Sequence, residues 1–302
     1  MAFLTDHLGA VARPANRRAE LFRERPKDML ARYLLGTARG LKHGGLKGLL
    51  GIARLGFEEL LAPDFGLPDP EAPLANPPGL AGVVHDLSVD TLIAAYSNGL
   101  YPLAHVPPLK WWSPPKRCVL SFEDAHIGRT MRKVLRNGGY TVTFDRDFEA
   151  VIAACAGPRT GRWRLTWITP RIMRAYAELF DAGYAHSFEV WNKRGELAGG
   201  GYGVAIGASF SGESQFSLEP NTSKVGLCAL NFHLARWGYH FDDGKLMSPT
   251  MRDLGFRDIP RDIYLAHLAK AVRARGKAGR WQIEADLADV AVWRQFSKND
   301  KA

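Results

Sequence analysis

The sequence predicts an α+β protein in which helices flank a mixed, largely antiparallel sheet. In the glycine-rich segment 199–217, strands are predicted over 202–206 and 208–210, because aromatic and branched residues there lie between turn residues. Helix start and stop signals alternate with short strand patterns between residues 88 and 273. A hydrophobic content of 46% in 302 residues is enough for a sizeable core. The glycines indicate either a tight sheet corner or the close approach of a ligand.

Composition limits the classes of partner. The chain has 40 Lys and Arg against 31 Asp and Glu, a net charge of +9, which favours nucleic acid or an anionic membrane surface, although a solvated basic surface explains it as well. Three cysteines without CxxC spacing argue against disulfides and a thiolate zinc site, and the histidines show no ligand spacing, so no metal is expected. No apolar run approaches the roughly 20 residues that span a bilayer, and a signal-peptide pattern is lacking. A cytoplasmic location is therefore expected.

The N-terminal part is basic and helix-prone. Over residues 1–62, Arg and Lys alternate with Leu, Phe and Tyr, and glycines interrupt a partly amphipathic pattern. Such an extension is expected to be solvated, or to lie on the protein body, on nucleic acid or on anionic lipid, with membrane contact the least favoured of these. Residues 63–80 contain six prolines and are predicted to be a linker. The predicted division is an extension with its linker over 1–80, a smaller α/β subdomain over 81–158, a larger domain over 159–275 and a polar tail over 276–302.

Cap and turn residues define the elements of the 81–158 segment. Ser88 is predicted to cap a helix that ends at Asn98-Gly99, because Ser favours helix starts and Asn-Gly favours helix ends. Leu100-Tyr101-Pro102 is predicted to lead into a proline-broken loop. The elements that follow are a strand over 119–122, a basic helix over 126–137, a strand over 140–144 and a helix over 147–155.

In the 159–275 segment, Thr169-Pro170 opens a helix that runs to Phe180, because Thr caps well and Pro fits the first helical position. The polar tail is predicted to contain at most one helix. The other predicted elements are a strand over 185–191, the glycine-rich hairpin, a helix over 223–237, a strand over 239–242 and helices over 249–254 and 262–273.

Several motifs occur together in a fixed order. Over about residues 81–270 the chain resembles the bacterial leucyl/phenylalanyl-tRNA–protein transferases, through GLYP at 99–102, WWSP at 111–114, TWI at 166–168, AHSFEVW at 185–191, GGYG at 200–203, GES at 212–214, NTSK at 221–224 and LG at 254–255. The resemblance implies that residues 159–275 form a GNAT-like catalytic domain. The N-terminal extension lies outside the resemblance.

The resemblance implies an aminoacyltransferase. Such an enzyme moves an amino acid from the 3′ end of an aminoacyl-tRNA to the α-amine of a protein that begins with Arg or Lys. The ester is already activated, so no cofactor, metal, ATP or enzymic nucleophile is required; the enzyme must position the amine and stabilise the oxyanion. The expected partners are aminoacyl-tRNA, through its 3′ end and acceptor stem, and the acceptor N-terminus.

The resemblance also assigns substrate-binding residues. Trp111 and Trp167 are expected to hold the terminal adenosine, because a ring face that stacks on a base contributes about 1–3 kcal/mol, although buried core tryptophans explain the motifs too. Trp112 is a further substrate-binding candidate. Phe210 is expected in the apolar pocket for the transferred side chain. Further candidates are Gly201, Ser214, Gln215, Asn221 and Ser223, with Lys224 and the basic residues of 126–136 as phosphate contacts.

The candidate catalytic residues are Glu213, Asp243 and Lys245. Glu213 is expected to recognise an amine or to hold its loop through backbone donors. The family's Asp-x-Gln corresponds to Asp243-Gly244-Lys245, and in the family the glutamine carbonyl is proposed to accept a hydrogen bond from the attacking amine. A lysine ammonium has only donors, so Lys245 is expected to stabilise the oxyanion, or to act as base if burial lowers its pKa. If the match to the family's Asp-x-Gln is shifted by one residue, Asp242 takes the place of Asp243 as the carboxylate.

Two departures from the family concern the amino-acid pocket. Gln215 stands where Met is common, and Gly201 stands where Leu or Met is common, which predicts an enlarged pocket and leaves selectivity for Leu or Phe open. Two other functions also remain open. An acyl-CoA-dependent GNAT acyltransferase would need a pyrophosphate-binding loop that the sequence lacks, and a catalytically impaired protein would only bind tRNA or N-termini.

Overall fold

The computed structural model describes residues 16–61, 65–103, 108–157 and 166–293, with the backbone only for residues 16, 35–50, 58 and 60. Two helices begin this part of the chain, α1 (Asn16–Leu21) and α2 (Pro26–Leu61). Arg17 of α1 pairs with Asp147 at 2.6 Å, and Arg18 pairs with Glu149 at 2.9 Å, so ion pairs attach α1 to the body of the protein. Within the described ranges, no helix combines the length and apolarity needed to cross a membrane.

A small antiparallel sheet follows. It has the order β1-β3-β2 and is formed by β1 (Leu80–Val83), β2 (Tyr101–Leu103) and β3 (Lys110–Trp112), with helix α3 (Val89–Ser97) between the first two strands. The predicted Ser88 cap is confirmed, since its hydroxyl accepts a bond from the Thr91 N–H. The sequence pattern predicts none of the three strands, because segments of three or four residues are too short to show alternation.

The main sheet has seven strands in the order β10-β4-β9-β8-β7-β6-β5. Every neighbouring pair is antiparallel except β8 and β9, which are parallel. The predicted α+β class with a mixed sheet is confirmed, and strands from both 81–158 and 159–275 lie in this one sheet. The strands are β4 (Lys116–Ser121), β5 (Thr141–Phe144), β6 (Ala185–Trp191), β7 (Leu197–Ile206), β8 (Ser209–Ser217), β9 (Phe241–Lys245) and β10 (Arg257–Pro260).

Helices pack on both faces of the main sheet. Thr169 caps α6 through its side chain, with Pro170 as the first helical residue, as the sequence predicts. One apolar cluster joins one face of the sheet to α4, α7 and α10, and a second joins the other face to α3, α5 and α6. The helices are α4 (Arg129–Asn137), α5 (Phe148–Ala156), α6 (Pro170–Asp181), α7 (Thr222–Arg236), α8 (Pro249–Asp253), α9 (Arg261–Ala271) and α10 (Leu287–Val292).

The segment after residue 276, which the sequence predicts to be a polar tail, contributes large apolar side chains to the core. Trp281 is 1% exposed, and Val290 and Trp293 are also buried. The Trp281 ring stacks on His186 with centroids 3.7 Å apart, and its backbone N–H donates to Asp145 at 2.7 Å. Single large apolar residues spaced along a polar segment form no periodic pattern, so the sequence does not indicate their burial.

Candidate active site

Two irregularities of the main sheet bring Glu213 and Lys245 together. In the β7–β8 pair, Glu213 is an extra residue on β8. In the β4–β9 pair the extra residue is Gly244 on β9, directly before Lys245, whose φ is 61°. A β-bulge bends its strand and redirects the adjacent side chains. Both residues therefore leave the regular alternation and meet beside the point where the parallel pairing of β8 and β9 ends, here called the β8–β9 fork.

Glu213 and Lys245 form a buried ion pair. The two side chains are 1% and 9% exposed, and the Lys245 ammonium donates to Glu213 Oε1 and, at 3.0 Å, to the Gly212 carbonyl. The hydroxyl of Tyr96 on α3 donates to the same carboxylate, and the Tyr176 hydroxyl of α6 lies 2.5 Å from the Tyr96 hydroxyl. The pair is thus part of a hydrogen-bonded chain that reaches from β9 to α6.

Burial shifts both pKa values of this pair towards the neutral forms. Removal from water lowers the pKa of Lys245, and the charge of Glu213 opposes this shift. Removal from water raises the pKa of Glu213 against the opposing charge of Lys245. The ammonium also lies 5.0 Å from the ring centroid of Tyr101 and 5.6 Å from that of Tyr96, and these ring faces stabilise a cation.

Asp243 is enclosed by donors. Arg117 of β4 binds it through Nε at 2.9 Å and through a terminal nitrogen at 2.8 Å. The hydroxyls of Ser211 and Tyr264 donate to Oδ2 at 2.9 and 3.0 Å, and the Lys245 backbone N–H donates to Oδ1 at 2.9 Å. Burial alone would raise the pKa of Asp243, but Arg117 outweighs it and the pKa is lowered. This carboxylate is therefore a fixed anion rather than a proton acceptor.

Arg117 also connects Asp243 to the first half of the chain. A terminal nitrogen of its guanidinium donates to the Gly99 carbonyl at 2.8 Å, and the group lies over the rings of Tyr101 and Tyr264, with 4.9 and 4.3 Å to the centroids. The arginine thereby fixes the segment that carries Tyr101 against β9. Since Tyr101 faces the Lys245 ammonium, the Arg117–Asp243 pair fixes both the Tyr101 segment and β9 at the site.

The three candidate tryptophans differ in their surroundings. Trp111 is 2% exposed and belongs to the apolar cluster that contains α3, α5 and α6. Trp112 is half-buried, and its Nε1 donates to the Leu103 carbonyl at 2.8 Å. Trp167 is half-buried and packs edge-on against Tyr176, with centroids 6.5 Å apart. Trp167 is thus next to the hydrogen-bonded chain that ends at Glu213.

The predicted pocket residues Phe210 and Gly201 have buried neighbours. Phe210 is 2% exposed and lies in the α7-side core, 5.8 Å from Trp281 between ring centroids. A Cβ built on Gly201 would lie 2.6 Å from the Phe188 ring, so this ring fills the space that the missing side chain was expected to leave open. Gln215 is half-buried and stands opposite Gly201 in the β7–β8 register.

The other candidates surround the start of α7. Asn221 precedes this helix with a φ of 69°, and Ser223 bonds Ser217 through their hydroxyls at 2.8 Å. Lys224 pairs with Asp253 of α8 at 3.6 Å, while Ser214 is half-buried on β8. The structure therefore brings Glu213 and Lys245 into contact, joins Asp243 to them through the backbone, and places these α7 residues in a separate group of contacts.

Sequence reasoning missed four residues of the site, namely Tyr96, Arg117, Tyr176 and Tyr264. Tyr96 and Tyr176 fit the apolar faces of α3 and α6, so their pattern indicates core packing only. Arg117 offers a usable signal in the sequence, because it directly precedes the apolar residues 118–120, and a charge within a buried strand requires a partner. In the structure Arg117 is 1% exposed within β4.

Comparison with known proteins identifies the family of this chain. The sequence model of the leucyl/phenylalanyl-tRNA protein transferase family matches residues 119–269, and that of the N-terminal domain of the same enzymes matches residues 85–115. The leucyl/phenylalanyl-tRNA–protein transferase of Alkalilimnicola ehrlichii is 40% identical over 241 residues, which cover 80% of this chain and 93% of the relative. The enzyme of Thiobacillus denitrificans is 43% identical over 218 residues, which cover 72% of this chain and 95% of the relative. The enzyme of Azotobacter vinelandii is 47% identical over 205 residues, which cover 68% of this chain and 90% of the relative. The chain belongs to the leucyl/phenylalanyl-tRNA–protein transferase family.

Proposed function

We propose that this protein transfers an amino acid, Leu or Phe in the first instance, from an aminoacyl-tRNA to the N-terminal amine of a protein. The names of its relatives state this class of transfer. The observation that carries the proposal for this chain is the buried Glu213–Lys245 pair at the β8–β9 fork. It supplies a fixed cation in a site largely shielded from water, where charge stabilisation is most effective.

The reaction is an aminolysis that needs no added reagent. The neutral α-amine attacks the ester carbonyl, a C–N bond forms, and negative charge develops on the carbonyl oxygen. Collapse of this intermediate breaks the bond to the ribose oxygen, which takes the proton lost by the nitrogen. The products are the extended protein and uncharged tRNA, so the protein must supply positioning and charge stabilisation.

In this proposal Lys245 stabilises the oxyanion. An ammonium has three N–H donors, and Glu213 and the Gly212 carbonyl accept two of them. The third N–H is assigned to the carbonyl oxygen of the ester. Glu213 keeps the lysine protonated and oriented, and the Arg117–Asp243 pair fixes the backbone N–H of Lys245, so Asp243 acts as a positioning residue.

The finer assignments of fold and tRNA contact belong to the same proposal. One parallel pair, β8–β9, that separates at a fork within an otherwise antiparallel sheet supports a GNAT-like catalytic layout. Arg129, Lys133 and Arg136 of α4 are exposed and form a candidate contact for the acceptor-stem phosphates. Trp167, beside Tyr176, is the best-placed platform for the terminal adenosine. A cytoplasmic location follows from the proposed substrate.

The direct test is transfer of radiolabelled amino acids from a mixed pool of charged tRNA to peptides that begin with Arg or Lys. We expect label from Leu or Phe in the peptide, and none when the peptide N-terminus is acetylated. Label from a different amino acid would support the same reaction with a different amino-acid specificity. Tight tRNA binding without label in any peptide would instead support a protein that only binds tRNA.

A further inference from the structure

A carboxylate on the α7 side of the β8–β9 fork has one oxygen without a partner. Asp242 is 2% exposed, and among the described residues its Oδ1 accepts no hydrogen bond. Asn231 of α7 is 3% exposed and forms a side-chain hydrogen bond with Asp242, while its own Oδ1 is also unpartnered in this part of the chain. Buried acceptors are nearly always satisfied in folded proteins, so these two oxygens indicate a missing donor.

The nearby cations are already engaged. Lys245 binds Glu213 and the Gly212 carbonyl, and Arg117 binds Asp243. Burial and the neighbouring charge of Asp243 raise the pKa of Asp242 well above its usual value, and the charge of Lys245 opposes this only in part. A donor with positive charge would therefore gain more at this carboxylate than a neutral donor.

There is room for one carbon-sized group at Gly212, beside the unpartnered oxygen. A Cβ built on Gly212 would have the Asp243 carbonyl oxygen at 3.8 Å and Asp242 Oδ1 at 3.9 Å as its nearest neighbours, both at ordinary contact distance. The same Gly212 carbonyl accepts from the Lys245 ammonium, so this space is one peptide group away from the proposed catalytic cation. Asn231 also lines a small cleft with Cys228 and Trp293, but its Oδ1 is buried, and Asp242 is not part of that lining.

We propose that Asp242, supported by Asn231, binds an ammonium or guanidinium group of a substrate side chain at the fork. The inference rests on the proposed function, which offers two sources of such a group. One is the side chain of the transferred amino acid, and the other is the side chain of the first residue of the acceptor. Both present several N–H donors with positive charge, as the two unpartnered oxygens require.

The decisive variant is Asp242→Asn. Its amide has nearly the same shape and can still accept the side-chain hydrogen bond from Asn231, but it carries no negative charge. Were Asp242 merely a protonated acid that donates to Asn231, this variant would behave as the wild type. Asp242→Leu is the second variant, and a thermal melt of each protein establishes that it is folded.

The variants are compared with the wild type on tRNAs charged with Leu, Phe, Lys or Arg and on peptides that begin with Arg, Lys or Ala. We expect Asp242→Asn to lower the ratio of kcat/KM for the cationic substrate to kcat/KM for neutral combinations about tenfold or more. An effect that follows the amino acid on the tRNA identifies the transferred side chain, and one that follows the peptide identifies the acceptor. A uniform effect, or none, would overturn the site and leave the proposed function standing.

A second measurement needs no turnover. Arginine amide and leucine amide are titrated against wild type and Asp242→Asn, and the melting temperature is followed. We expect arginine amide alone to stabilise the wild type, and to stabilise Asp242→Asn less. Equal shifts of the melting temperature in both proteins, or no shift in either, would contradict the site. This result does not depend on the transfer assay, in which a lack of any transfer by the wild type would overturn the proposed function.

Discussion

The ring of Phe188 on β6 occupies the space that a side chain at position 201 of β7 would need. Cζ and Cε1 of this ring lie 2.6 and 2.7 Å from a Cβ built on Gly201, and the Ser214 carbonyl oxygen lies 2.9 Å from it. Gly226 of α7 faces the same ring from the other side. Position 201 is therefore glycine because a neighbouring residue supplies the missing volume, and no enlarged pocket results.

This relationship predicts the stability of variants at position 201. We expect Gly201→Ala to lower the free energy of unfolding by about 1–3 kcal/mol, because the ring and a carbonyl must move apart. Adding Phe188→Leu should recover part of the loss. Urea denaturation measures both, with Gly56→Ala as control, since a Cβ there meets nothing within 4 Å. If Gly201→Ala unfolded at the same urea concentration as the wild type, the space at position 201 would not be filled by Phe188.

The buried Arg117–Asp243 pair should be costly to break. Replacing Arg117 by Leu leaves a carboxylate that is 1% exposed without its counter-charge, and we expect a loss of about 3–5 kcal/mol. The double variant Arg117→Leu/Asp243→Leu should lose less than the sum of the single variants. The exposed pair Arg257–Asp124 is the control, and Arg257→Ala should cost less than about 1 kcal/mol. Similar losses at both arginines would argue against a structural role for the buried pair.

Lys245 should affect turnover more than tRNA binding. We expect Lys245→Met to lower kcat about 10²–10³-fold, as the loss of one oxyanion donor does, with tRNA affinity unchanged. Lys245→Gln restores the residue common in the family and keeps two N–H donors, so it should retain more activity than Lys245→Met. Single-turnover transfer and tRNA binding separate the two effects. Full activity of Lys245→Met would remove Lys245 from the mechanism.

The pKa shifts of the ion pair predict a narrow pH range of activity. Lys245 is charged below its pKa, which burial lowers, so its charge is lost at a lower pH than that of an exposed lysine. Glu213 is charged above its pKa, which burial raises, so its charge is lost at a higher pH than usual. If both charges are needed, kcat falls on both sides of a range narrower than that of exposed groups. Lys245→Gln should lose the alkaline decline, after correction for spontaneous ester hydrolysis; persistence of that decline would assign it to another group.

The segment after residue 276 should be needed for stability. Trp281 is 1% exposed and stacks on His186, so Trp281→Ala removes a buried ring and should cost about 3–5 kcal/mol. Leu218, which is 71% exposed, is a control whose replacement by Ala should have little effect. Thermal and urea unfolding provide the comparison. Equal midpoints for the two variants would show that the segment contributes little to the fold.

The local signals of the sequence determined much of this protein. Caps such as Ser88 and Thr169-Pro170 define helices because they satisfy backbone groups within a few residues, and the strand 185–191 follows from its own side chains. The fixed order of motifs indicates the family, and the motifs alone make Glu213 and Lys245 candidate catalytic residues. These features depend on neighbours along the chain, which the sequence contains directly.

Only the tertiary structure decided which side chains meet. The bulges at Glu213 and Gly244 depend on the register of two strand pairs, and a shift of one residue reverses the face that a side chain occupies. The same long-range packing turns Asp243 towards Arg117, fills the space at Gly201 with Phe188 and buries Trp281. Each of these contacts joins residues far apart in sequence, and its energy comes from burial that exists only after the chain has folded.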